Sequence, residues 1–146
     1  MENKMIAIGS DHGGFALKQE IIKYLTENNI GFKDFGCYDD TSCDYTEYGK
    51  AVAEAVAEGS YEKGILICGT GIGISITANK VKGIRCAVCS DCFSAEATRE
   101  HNDANILALG GRVVGVGLAL KIVDIFLNTP FSNEERHIRR ISQIES

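Results

Sequence analysis

The sequence predicts an α/β fold: one domain over residues 1–146, a three-layer αβα sandwich around a five-stranded parallel sheet. Three observations predict it. Short apolar runs alternate with stretches of helical spacing from one end to the other. A chain of 146 residues, 45% hydrophobic and 24% charged, suits one domain with a substantial core. No linker, low-complexity tract or internal repeat divides it.

Each element follows from local pattern. Met5–Gly9 is an apolar strand, and Leu17, Ile21 and Leu25 mark a helix over Gly14–Asn29 that ends at Asn28–Gly31. Phe32–Phe35 is short and partly polar, which suits a strand near the sheet edge. Asp44 is placed to cap a helix over Tyr45–Glu58, with Glu47 at the capping-box position. Ile65–Cys68 reads as a buried strand, followed through a glycine loop by a helix over Gly73–Lys80. Cys86–Cys89 reads as another buried strand, Ser94–Glu100 as a helix, and Ile106–Leu109 as the fifth strand. Val116–Leu127 is a mostly apolar helix stopped by Asn128-Thr129-Pro130. Ser132-Asn133-Glu134-Glu135 has the form of a capping box opening a last helix, which is expected to extend from the domain. The order is Rossmann-like, so ligands are expected at the carboxyl ends of the strands, beside a topological switch point.

Composition narrows the function classes. A net charge of −5 argues against nucleic acid or anionic lipid as the main partner. No apolar run reaches the roughly 20 residues that span a bilayer, and MENKMIAIGSD lacks the features of a signal peptide. A cytoplasmic location is the expectation, and with it six free cysteines rather than disulfides. The run C-A-V-C-S-D-C over residues 86–92 has the spacing of three iron–sulfur ligands. Glu96 and Ala97 stand where that pattern needs a cysteine and a proline, so the run is expected to pack and bind no metal.

The stretch L-I-C-G-T-G-I-G-I-S over residues 66–75 carries the strongest chemical signal. It is not a dinucleotide fingerprint, because the third glycine would fall on Ile74. It is not a Walker loop, because no Gly-Lys-Ser/Thr follows. Gly69, Gly71 and Gly73 let successive backbone N–H groups face one concavity at a helix N-terminus, where anionic oxygen binds. Cys68 stands beside that field, which stabilises a thiolate. Nucleophile, redox centre, general base and inert buried thiol are all open to it at this point.

Four motifs resolve the choice by resemblance. I-G-S-D-H-G-G-F, C-G-T-G-I-G-I-S, R-E-H-N-D-A-N-I-L-A-L-G-G-R and the terminal R-H-I-R-R resemble, in order and over the full length, ribose-5-phosphate isomerases of type B. The wider family includes allose-6-phosphate and galactose-6-phosphate isomerases. The resemblance implies interconversion of ribose 5-phosphate and ribulose 5-phosphate through a cis-enediolate, without metal or organic cofactor, in the non-oxidative pentose phosphate pathway. By resemblance Cys68 is the general base, since Ile74-Ser75 holds no carboxylate where other members carry a glutamate. Gly69, Thr70, Gly71, Ile72, Gly73 and Ser75 would cradle the enediolate, His101 would open the sugar ring, and Asn102 would bind hydroxyls. Asp11, His12 and Tyr45 match positions around the sugar. Arg112, Arg136 and Arg140 match the phosphate grip, with His137 a weaker candidate.

Arg136 and Arg140 are four apart and share a helix face. Ile138, Ile141 and Ile144 are expected to pack on the other. Asp11, Cys68 and His101 are expected to gather within one subunit, with the arginines of the last helix reaching a neighbour. The resulting assembly is a homodimer, or a tetramer built from it, with shared sites. Allose 6-phosphate is the competing substrate, and a non-catalytic phosphosugar-binding module the competing function class.

Overall fold

In the computed structural model, which describes residues 5–146, five parallel strands form one sheet in the order β2-β1-β3-β5-β4. The strands are β1 (Ile6–Ser10), β2 (Phe32–Asp34), β3 (Lys63–Cys68), β4 (Cys86–Val88) and β5 (Ile106–Gly110). The helices are α1 (Phe15–Glu27), α2 (Tyr45–Ala57), α3 (Ile72–Asn79), α4 (Cys92–Asn102), α5 (Val116–Asn128) and α6 (Glu135–Glu145). From β1 the chain steps outward to β2, and from β3 it steps the other way, so the switch point lies between β1 and β3.

The three central strands are buried along their whole length, as their apolar runs require. Alternation along a strand sends successive side chains to opposite faces. Ile6, Ile8, Ile65, Ile67, Leu107 and Leu109 therefore meet α1, α4 and α5, with Leu17, Ile21, Ile122 and Phe126 filling that layer. Ala7, Leu66, Cys68, Ile106 and Ala108 face the other way, against Val52 and Val56 of α2 and Ile74 of α3. That parity places the Cys68 side chain on the α3 side of the sheet.

Four local expectations are corrected. Cys86–Cys89 is not a fully buried strand: β4 is a three-residue edge strand with Val88 exposed. Asp44 stands at the N-cap of α2, but its side chain makes no capping bond. No capping box opens α6 either. Its N-cap is Glu134, and Ser132 Oγ instead accepts from Glu134 N (3.2 Å) and bonds His137 Nδ1 (2.7 Å). Finally, the isoleucine face of α6 packs only in part within the chain: Ile141 is half-buried, but Ile138 is 50% exposed and Ile144 61%. His137 is the residue α6 buries, and the helix docks on α4.

Candidate active site

The carboxyl ends of β1, β3 and β5 lie side by side and are held together by glycine. Gly14 and Gly111 have no room for a side chain: a Cβ would lie 2.5 Å from the Ile67 carbonyl oxygen and 2.7 Å from that of Gly13, respectively. Asp11 Oδ1 accepts from Gly14 N (3.0 Å), so the buried carboxylate closes the short 3-10 turn over His12–Gly14. His12 accepts Cys43 N at Nδ1 (3.2 Å), which leaves the proton of the neutral ring on Nε2, free to donate.

Cys68 ends β3 and is buried. Gly71 N donates to its sulfur at 3.1 Å, the kind of bond a thiolate accepts most strongly. Gly71 can turn this way because it sits at φ 82°, a conformation costly for residues with a Cβ. The chain then enters α3, whose first N–H groups have no intrahelical acceptors. Thr70 Oγ1 accepts from Ile72 N (3.1 Å), which keeps the hydroxyl proton available. Ser75 donates its hydroxyl to Ile72 O (2.7 Å) and serves the helix first. The Tyr45 ring covers Gly73, where a Cβ would stand 2.7 Å from Cζ. Arg112 N donates to Gly69 O (3.0 Å), and its side chain runs over Gly69. A thiol, the N–H groups at the start of α3, a carboxylate, an imidazole donor and a guanidinium thus come together at the carboxyl ends of β1, β3 and β5. Such a set can move a proton at carbon while holding the negative charge that results.

The other half of the expected site lies elsewhere. His101 and Asn102 are the last residues of α4, which returns to the amino end of the sheet before β5 begins. Asn102 O accepts Arg85 Nε (2.8 Å), and Arg85 immediately precedes β4. From Ile106 to Gly110, paired with Gly64 to Cys68, the strand alone covers roughly 13 Å. The expectation that Asp11, Cys68 and His101 gather in one subunit is therefore corrected: His101 stands with Asn102 at the opposite end of the sheet from Cys68. It joins α6 there, its ring against that of His137, 4.5 Å between centroids and tilted by 37°. Arg136 is exposed and, among the described residues, paired only with exposed Glu134 (2.8 Å), a weak tie that an anion can displace. Arg140, also exposed, follows one turn later.

Burial first, then the charges of Arg136, His101 and Arg140, hold the His137 pKa below its ordinary value, against the opposing pull of Glu134. The folded ring is thus neutral where an unfolded one takes a proton. Its contribution is complete above the ordinary value of 6.5 and is lost as pH falls through the depressed folded value. Amide exchange in α6, taken relative to the intrinsic rate at each pH, is accordingly expected to rise as pH drops below the ordinary value of 6.5, and His137→Phe to flatten that response. An α6 exchange profile with no such rise in the parent protein would contradict this.

Among the described residues no three His, Cys, Asp or Glu side chains converge as a metal cluster. Burial pushes the Cys89 thiol up to about 11, which suits packing. Sequence reading missed the buried ammonium of Lys18, bonded to Asp34 Oδ1 (2.6 Å) and to the Cys37 carbonyl, and it missed Arg85. Neither belongs to a motif; their roles come from what they touch.

The family model described as Ribose/Galactose Isomerase matches residues 6–144. The chain belongs to that family. It is 50% identical over 141 residues to ribose-5-phosphate isomerase B of Escherichia coli, covering 97% of this chain and 94% of the relative. Its fold is similar to that of ribose-5-phosphate isomerase B from Clostridium thermocellum, with a TM-score of 0.95 and 54% identity over 97% and 95% of the two chains. It is also similar to the Mycoplasma genitalium isomerase B solved with bound ribulose 5-phosphate, with a TM-score of 0.92 and 40% identity over 97% and 93%. The four motifs read in the sequence thus lie in a chain that is a sugar-phosphate isomerase. No helix is long and apolar enough to cross a membrane among the described residues.

Proposed function

We propose that this isomerase interconverts ribose 5-phosphate and ribulose 5-phosphate in the cytoplasm, with Cys68 as the general base and no cofactor. The single observation that carries the residue assignment is the Gly71 N–H donated to Cys68 Sγ at the neck of α3. The Cys68 thiolate takes the proton from C2 of the open-chain aldose. The enediolate charge falls on oxygens facing the N–H groups of Gly69, Thr70 and Gly73, helped by the Thr70 hydroxyl, while Gly71 N and Ile72 N serve Cys68 Sγ and Thr70 Oγ1. The proton returns to C1 while the hydroxyl proton on O2 passes to O1, so the carbonyl forms at C2 and the ketose leaves. Asp11 and the Nε2 proton of His12 hold sugar hydroxyls, Tyr45 walls the pocket, and Arg112 reaches the phosphate.

His101, Asn102, Arg136 and Arg140 complete each site from the second subunit of a homodimer. Two features support this. The residues lie at the far end of their own sheet, and large apolar side chains flank the glycine loop uncovered: Ile72, Ile76, Val88, Phe93 and Val113 are all exposed. A two-fold operator makes two equivalent sites from two such halves.

The direct test is a coupled assay with ribose 5-phosphate and allose 6-phosphate on chelator-treated protein. Turnover of the pentose in preference to the hexose is expected; the reverse preference would reassign the substrate. His101→Asn should slow single-turnover conversion of the cyclic aldose by about 10²-fold or more, while proton exchange on the open-chain ketose falls far less. Equal losses in both would remove His101 from ring opening.

A further inference from the structure

We propose that Arg85 is a positioning residue for the reaction, holding the end of α4 and the end of α6 in one register so that His101, Asn102 and Arg140 present a single half-site. This rests on the half-site reading above. The guanidinium makes three bonds to two elements. Nε donates to Asn102 O at 2.8 Å, Nη2 to Asp103 O at 2.9 Å, and Nη1 to Glu145 Oε1 at 2.5 Å. Its own backbone is fixed in turn, N donating to Asn105 Oδ1 (2.9 Å) and O accepting from Asn105 N (3.0 Å).

Each acceptor needs such a partner. The carbonyls of Asn102 and Asp103 close α4, where a helix leaves its last acceptors unpaired. Asp103 is left-handed at φ 46°, a conformation that a side chain disfavours, so the turn persists only if bonds hold it. Arg99 braces the same turn from the other side, through Asp103 Oδ1 (2.8 Å) and Ala104 O (2.7 Å). At α6 the need is different. The helix docks near its start through His137, but its last turn borders a cavity of about 560 Å³ lined by Ile144, Glu145 and the approach to β4. Packing does not hold that turn; the bond from Arg85 does. Lysine cannot replace it, because only a planar fork reaches three separated acceptors.

The test begins with Arg85→Met, which keeps the apolar stem and removes every donor. It should lower kcat/KM for ribose 5-phosphate about tenfold or more, since small misplacements of binding groups carry large rate costs. Arg85→Lys should recover little of this. Glu145→Ala removes the acceptor, so it cuts only the α6 arm and should raise KM with kcat nearly unchanged, the pattern of lost uniform binding. A general loss of stability would not respect the two halves of the site, so subunit mixing is the deciding readout. Arg85→Met mixed with Cys68→Ala should regain activity, because one hybrid site is intact. Mixed with Arg140→Ala it should not, because each site then carries one damaged half. Arg85→Met within about twofold of the parent kcat/KM, or recovery with Arg140→Ala, overturns the assignment alone. Failure of Cys68→Ala to complement His101→Asn would overturn the half-site reading and this assignment with it. If Arg85→Met does not fold, an unchanged KM in Glu145→Ala is sufficient to reject it.

Discussion

Cys68→Ala is expected to reduce isomerisation by about 10²–10⁴-fold, the usual worth of a positioned acid–base group, while sugar-phosphate binding survives. The substitution removes one atom from a buried site at the end of β3, so the strand and its packing against Leu66 and Ala108 persist. Cys68→Ser sharpens the test. A hydroxyl retains a partner for Gly71 N, which now donates to sulfur at 3.1 Å, but is far less acidic than a thiol. If the thiolate is the base, serine is nearly as inactive as alanine; if sulfur only positions the loop, serine restores much of the rate. Activity is read by the coupled assay and binding by calorimetry with ribose 5-phosphate. A loss in Cys68→Ala below about fivefold would remove the residue from proton transfer.

The second large effect concerns subunits. Inactive Cys68→Ala and His101→Asn chains, denatured together and refolded, are expected to recover about a quarter of the parent activity, because half the dimers are hybrids with one sound site each. In such a hybrid one site receives both defects and the other receives neither. The same logic applies to Cys68→Ala with Arg140→Ala. Only the first mixture tells the two arrangements apart. With Cys68 and His101 in one subunit's site, each hybrid site would hold one defect and nothing would recover. The placement of His101 at the amino end of the sheet, against His137 of α6, predicts recovery. No gain after verified exchange, or a fully active monomer by sizing, would defeat the shared site.

By itself the sequence determined the element order, the parallel sheet, the edge position of β2, and the meeting of Asp11, Cys68 and Gly111-Arg112 at the strand ends. These are consequences of period and length: alternation sets the face on which Cys68 lies, and a strand followed by a returning helix sets the end. The glycines were legible for the same reason, since no other residue fits at Gly71 or Gly111. The site of His101 was not legible in that way. Being just before β5 puts a residue at the strand's amino end, not its carboxyl end, but that the His101 ring meets His137 of α6 there shows only in the fold. The tertiary structure also decided that α6 buries His137 rather than its isoleucines, and that Ser132 bonds His137 instead of closing a capping box. Arg85 became visible last. Its three acceptors come from residues 17, 18 and 60 positions away, and no local pattern encodes contacts made by a long side chain across that separation.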